Sequence, residues 1–307
     1  MIDRSRFRNA LRFMTIIPLA PSNDATEPDW LSRSVKYFPV VGIGVGIVSA
    51  AAWLLAGAIW DPVIAALLAV ATSIVMTGAL HEDGLADTAD GFGGGWTIEK
   101  RLAIMKDSRI GAYGAIALGF SIALRVAVLT ELPVWAGATA LVAGHAAARV
   151  TPAFVLARMV YMSDVSAMKV AYAESPVRPD EFWFALIVVA IGTLPLAFIS
   201  IRSVATGLLL GAVLAVALAA WSRRLIGGYT GDVLGAINRY SRSGSCSALR
   251  QSFDRTQQRQ LIRLAFKCFS AAADAIDGVD HPATSTQHIV RQLHHEPVRC
   301  HKCRAAA

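Results

Sequence analysis

Residues 37–60 read YFPVVGIGVGIVSAAAWLLAGAIW, and this stretch decides the fold. It carries no charge and exceeds the ~20 residues a helix needs to cross the hydrocarbon core. Gly42, Gly44, Gly46, Ala50, Ala51 and Ala52 keep it slim, as close helix packing in lipid requires. Five further apolar runs follow, at 62–80, 112–130, 134–156, 182–201 and 204–225. Mean hydropathy over the 307 residues is +0.49, and charged residues make up 17%, against about 25% in soluble domains. A soluble core has no use for six such runs. The composition therefore predicts an all-α, polytopic integral membrane helix bundle with about six transmembrane helices.

The opening MIDRSRFRNALRFMTIIPLAP is basic, and its apolar stretch is too short for a cleavable signal. Phe7, Leu11, Phe13, Met14 and Ile17 give it an apolar side. Two readings fit: a helix lying on the membrane surface, or a first helix docked on the bundle. Basic residues set the orientation. Arg4, Arg6, Arg8, Arg12, Arg33 and Lys36 precede the first span. Lys100, Arg101, Lys106 and Arg109 lie between the second and third, and Arg223 and Arg224 end the last. The opposite loops are short and hold only Arg202. That pattern places the N-terminus and segment 81–111 on the cytoplasmic side of a multi-pass membrane protein.

The chemistry is written in His81 to Gly95, HEDGLADTADGFGGG. Asp83, Asp87 and Asp90 stand at i, i+4 and i+7, which on a helix puts them within an arc of roughly 60°. Like charges so close repel one another. A divalent cation reverses that cost, and Mg²⁺ prefers carboxylate oxygens while keeping sites for water and phosphate. Alone, the stripe is also compatible with a solvated acidic helix end. The glycines after it allow a backbone to approach a ligand closely. Lys106, Asp107, Ser108 and Arg109 then gather two cations, a hydroxyl and a carboxylate. Arg suits bidentate phosphate contacts and Lys acts as a point charge; as a plain feature the pair reflects positive-inside topology. Arg125, His145 and Arg149 lie within predicted spans, where charge is expensive and faces a cavity or a partner. Near a span end, Arg149 also has the option of snorkelling. Asp232, in Gly227–Asp232 GGYTGD, falls on the same side as the aspartates and is a candidate for their site, although GGYTGD alone is a turn.

Together these motifs resemble the cobalamin-5′-phosphate synthase (adenosylcobinamide-GDP ribazoletransferase) family. His81–Gly91 matches HxDGLADTADG, Lys106–Gly114 matches K-D-S-R-x-G-x-x-G, and Gly227–Ala236 matches G-G-x-T-G-D-x-x-G-A. The resemblance covers about residues 1–238. It implies transfer of the adenosylcobinamide phosphate group from adenosylcobinamide-GDP to α-ribazole or its 5′-phosphate, with release of GMP and a requirement for Mg²⁺. Asp83, Asp87 and Asp90 would then hold the metal, with His81 as an acid–base or orienting group. Lys106, Asp107, Ser108, Arg109, Arg149 and Asp232 would bind substrate. The expected partners are these two substrates and the lipid bilayer, with no nucleic acid and with an oligomer allowed. A CDP-alcohol phosphotransferase is the rival enzyme, but Asp87-Thr88 stands where its pattern resembles Ala-Arg. A transporter is the non-enzyme rival, and the spans show no half-to-half repeat.

Composition changes after Asn238. Residues 239–307 hold 11 Lys and Arg against 5 Asp and Glu, with all four cysteines and five of the seven histidines. The basic balance of the chain therefore belongs mostly to this tail. Cys300 and Cys303 make one CxxC, too little for a four-ligand zinc site. The family pattern predicts a further apolar span here, and the chain has none. The expectation is a membrane transferase domain over 1–238 followed by an atypical tail over 239–307, either disordered or derived from a shifted reading frame.

Overall fold

The computed structural model describes residues 3–22, 27, 29–162 and 177–249. The described chain is helical, its one β contact being a single bridge between Tyr161 and Tyr229. The helices are α1 (Arg4–Met14), α2 (Trp30–Ser34), α3 (Phe38–Gly57), α4 (Pro62–Met76), α5 (Leu80–Gly94) and α6 (Ile98–Met105). They continue with α7 (Ala112–Thr130), α8 (Val134–Ala148), α9 (Thr151–Arg158), α10 (Pro179–Ile199), α11 (Ile201–Ile226) and α12 (Gly231–Leu249). Five segments are long and apolar enough to cross a membrane: Trp30–Gly57, Ala112–Thr130, Val134–Arg158, Pro179–Ile199 and Ile201–Ile226. A sixth forms only if α4 and α5 are taken as one broken element, bent by 89°.

That bend refines the second predicted span. α4 has 15 residues, short of the ~20 needed to cross. Gly78 and Ala79 both adopt left-handed backbone, at φ 57° and 56°. For Ala79 this is a strained conformation. We read α4 as entering the membrane and α5 as leaving its axis at the boundary. The 81–111 segment, expected as a loop, is thus two helices, α5 and α6.

Gly42 and Gly46 serve the predicted purpose, whereas Gly44 faces open space and Ala51 is exposed. A Cβ on Gly46 would stand 2.7 Å from Val142 Cα, so α3 rides directly on the backbone of α8. Ser49 donates to Ala69 O (2.6 Å) and Trp53 Nε1 to Val134 O (2.9 Å), tying α3 to α4 and α8. Outward-facing Leu55, Leu67, Ile116, Phe120, Ile191, Phe198 and Leu209 remain exposed. Such a shell suits lipid, because helices satisfy their own backbone groups there. α1 is capped by Asp3, which accepts from Ser5 N and Arg6 N, and it docks on the bundle. Phe7 meets Tyr37 edge-on and Phe13 stacks on Phe38. Buried Glu181 of α10 clamps this end, with Arg33 Nη1 at 2.8 Å.

α12 runs through the compositional boundary at Asn238 to Leu249. The Cys300/Cys303 pair and the remainder of the tail from 250 onward lie outside the described residues.

Candidate active site

Helix α5 carries the stripe as its spacing predicts, but its three aspartates meet different surroundings. Asp83 is exposed, Asp87 half-buried and Asp90 buried. Asp90 faces the start of α7. Its Oδ2 accepts from Gly111 N (2.7 Å) and its Oδ1 from Gly114 N (2.9 Å). A Cβ at either glycine would collide with this carboxylate. The G-x-x-G of the second motif is thus a cradle for Asp90, which binds the otherwise unpaired N–H groups of α7.

The third carboxylate facing Asp83 and Asp87 is Asp232. Gly227, at φ 82°, ends α11. Thr230 Oγ1 then accepts from Val233 N and caps α12, leaving Asp232 in the first helical turn. Two glycines let α12 lie against α5. A Cβ on Gly84 would be 2.7 Å from Asp232 O, and one on Gly235 would be 3.3 Å from Leu80 O. GGYTGD is therefore both a turn and a site element.

The electrostatics reflect this convergence. Burial, with the charges of Asp83, Asp232 and Asp90, pushes the Asp87 carboxyl up to about 7. Burial and Asp83 push Asp232 up to about 6, against the opposing pull of its backbone hydrogen bond and Thr230. Among the described residues, no group of three His, Cys, Asp or Glu side chains is arranged to hold a metal ion, and Asp90, expected as a ligand, has both oxygens engaged by α7. Mg²⁺ needs only one or two carboxylates and completes its shell with water and phosphate oxygens. Asp83 with Asp87 or Asp232 offers such a pair.

Beside the acids lies a cavity of about 120 Å³. Phe13, Leu31, Phe38 and Leu156 form its apolar walls, and His81, Asp83, Asp232 and Asn238 its polar part. Sequence reasoning placed His81 near the site, and the structure puts it in this wall.

The other candidates divide. Lys106, Ser108 and Arg109 are exposed on the turn between α6 and α7, which Asp90 anchors to α5. Asp107 accepts a two-pronged contact from Arg109 (2.7 Å), which holds its carboxyl down at about 2. Arg149 lies elsewhere. It is fully buried beneath α3, with Nη1 3.0 Å from His145 Nδ1 and donating to His145 O, and it does not line the cavity.

Two groups escaped sequence reasoning. Glu82 points away from the stripe into the bundle, 2.8 Å from Arg239 Nη1 of α12 and 3.8 Å from Arg125 Nη2 of α7. The signal was available: an acid within a membrane-boundary motif and an arginine within a span require partners. Asn238 stands six residues after Asp232, about a third of a turn around α12, so spacing did not point to it, yet both line the cavity.

A membrane helix bundle that gathers carboxylates and cations at one boundary, beside a part-apolar cavity, defines an integral membrane enzyme site suited to phosphate-bearing substrates. Residues 6–249 match the Cobalamin-5-phosphate synthase family, and the chain belongs to that family. It is 39% identical to the adenosylcobinamide-GDP ribazoletransferase of Shewanella frigidimarina over 236 residues, 76% of this chain and 88% of the relative. The enzyme of the same name from Shewanella piezotolerans is 39% identical over 233 residues, 75% and 88% of the two chains. That from Shewanella baltica is 40% identical over 236 residues, 75% and 87%. No solved structure matches.

Proposed function

We propose that this chain transfers the adenosylcobinamide phosphate group from adenosylcobinamide-GDP to α-ribazole or its 5′-phosphate, as a Mg²⁺-dependent enzyme of the bacterial inner membrane. A ribose hydroxyl attacks the phosphorus on the cobinamide side of the pyrophosphate. The bond to the bridging oxygen breaks, and GMP leaves. The observation that carries the reading is the meeting of Asp83 and Asp87 with Asp232 beside a cavity that opens on two of them.

Asp83, paired with Asp87 or Asp232, would hold Mg²⁺. When bound, the ion neutralises charge on the transferring pyrophosphate, the main requirement of such a transfer. Lys106 and Arg109, exposed on a turn pinned to α5, are placed to meet the donor's phosphates as it arrives from solvent. Asp107 pairs with Arg109 at the surface. Asp90 orients α5 against α7 and so supports the stripe indirectly. The carboxylates at the cavity mouth receive the proton of the attacking hydroxyl, with His81 beside them.

The test is product analysis by mass spectrometry on the protein in lipid nanodiscs. With adenosylcobinamide-GDP, α-ribazole and Mg²⁺, the expected products are adenosylcobalamin and GMP. Product from a CDP-alcohol donor, with none from the GDP donor, would overturn the proposal.

A further inference from the structure

Asn238 is buried in the cavity wall, at 1% exposure. Among the described residues, neither its Nδ2 nor its Oδ1 has a hydrogen-bond partner. A buried amide in that state is costly and rare in folded proteins. Its position explains the cost if a ligand supplies the missing partners. We propose that the cavity seats the aromatic base of the acceptor nucleoside, and that Asn238 recognises the base by donating from Nδ2 to its free ring nitrogen. The proposal rests on the transferase reading above, in which the acceptor is α-ribazole, a riboside of a benzimidazole.

Three observations point to this occupant. Size is the first. About 120 Å³ is below the ~150 Å³ that holds a benzene ring in a dry apolar site, so the cavity takes an edge of the base and leaves its ribose outside, toward the acids. Drug-sized ligands need roughly 300–1,000 Å³, so the much larger corrinoid donor stays outside. The walls are the second. The stacked Phe13 and Phe38 rings, with Leu31 and Leu156, offer a flat aromatic base the surface it prefers. Register is the third. Asp232, Gly235 and Asn238 wind around about a third of α12, three residues apart in turn, and all line the cavity. Asp232 and Asn238 are separated by roughly 9 Å of helix rise, about the span of a nucleoside from hydroxyl to base. A base held at Asn238 thus presents its ribose to Asp83 and Asp232. A benzimidazole has one ring nitrogen free to accept, and a ribose hydroxyl is available for Oδ1. Asn238 is therefore a specificity residue for the acceptor.

The test compares α-ribazole with the matching indole riboside, in which CH replaces the free ring nitrogen. Binding to the full-length protein in nanodiscs is measured by calorimetry without donor. Wild type is expected to bind α-ribazole about tenfold or more tightly than the indole riboside, the scale of losing one buried hydrogen bond. Asn238→Leu is expected to bind the two alike. Equal affinity of wild type for both, or binding of neither, overturns the proposal, and neither result depends on the variant folding. Retained discrimination in a folded Asn238→Leu protein overturns it as well. Turnover of adenosylcobinamide-GDP is followed separately. Turnover without discrimination sinks the cavity assignment and leaves the transferase reading standing. Discrimination without turnover does the reverse.

Discussion

Asp83 and Asp90 look alike in the sequence, yet their surroundings give them different work. Asp90 spends both oxygens on backbone N–H groups of α7, whereas Asp83 is exposed beside the cavity. Asp83→Asn is therefore expected to cost about 10²-fold in turnover, the scale of one lost transition-state contact, with little change in stability. Asp90→Asn, whose amide accepts from only one of the two N–H groups, is expected to lose about 1–3 kcal/mol of stability, the cost of a buried donor left unpaired. Thermal unfolding and saturating-Mg²⁺ kinetics on both variants separate the roles; the opposite pattern would reverse the assignment. The raised Asp87 and Asp232 carboxyls make a second prediction. A carboxyl raised in the folded state opposes folding once ionised. In the absence of metal, these two cost stability above about pH 7. That cost fades as pH falls through about 7 and 6 toward the unfolded value near 4. A bound cation favours the ionised forms. Mg²⁺ should thus raise the melting temperature clearly at pH 8 and hardly at pH 5. Equal shifts at both pH values would show that these carboxyls do not hold it.

At the scale of elements, the site depends on how closely α5 and α12 approach. Gly84 has no room for a side chain against the Asp232 backbone. Gly84→Ala is expected to cost roughly 1–3 kcal/mol through overpacking. It should also lower activity at least tenfold by moving Asp232 away from Asp83, since small misplacements weaken positioned catalysis strongly. Stability loss with full activity would show that the spacing is unimportant. The sequence made α5 legible because its stripe is periodic and polar at a membrane boundary. It made Asp232 only a candidate, because the contact joining positions 84 and 232 is tertiary. It hid the cap on Asp90, because the i+7 spacing says which side of the helix a residue occupies and not what covers it. Arg149, attractive as a charge within a span, lies buried with its Nη1 against His145. The six apolar runs located the helices well, since length and hydropathy decide spans. The 89° break between α4 and α5 depends on two left-handed residues, and Ala79 gives no sequence warning of one.

For the whole molecule, the tail and the orientation remain to be read. α12 and the family match both continue to residue 249, past the change in composition at Asn238. That moves the expected change of frame from about residue 239 to beyond 249, and we propose that the segment after 249 arises from a shifted reading frame. The gene is then expected to encode an apolar run of about 20 residues, enough for a span, in another frame downstream of codon 249. Polar sequence in both other frames would make the tail a genuine appended segment. Orientation follows from the basic residues. Arg101 and Lys106 share a side with Arg223 and Arg224, and Arg101 Nη1 donates to Leu225 O across it (2.8 Å). From the positive-inside rule we propose that this side, and the site with it, faces the cytoplasm. Single cysteines are best placed at Trp96 and Arg224, because both positions are exposed, whereas nearby Tyr229 is buried. With Cys246, Cys268, Cys300 and Cys303 replaced by serine, an impermeant maleimide should label neither position in intact cells and both after permeabilisation. Labelling of either from outside would turn the bundle over and place the carboxylates away from cytoplasmic nucleotide substrates.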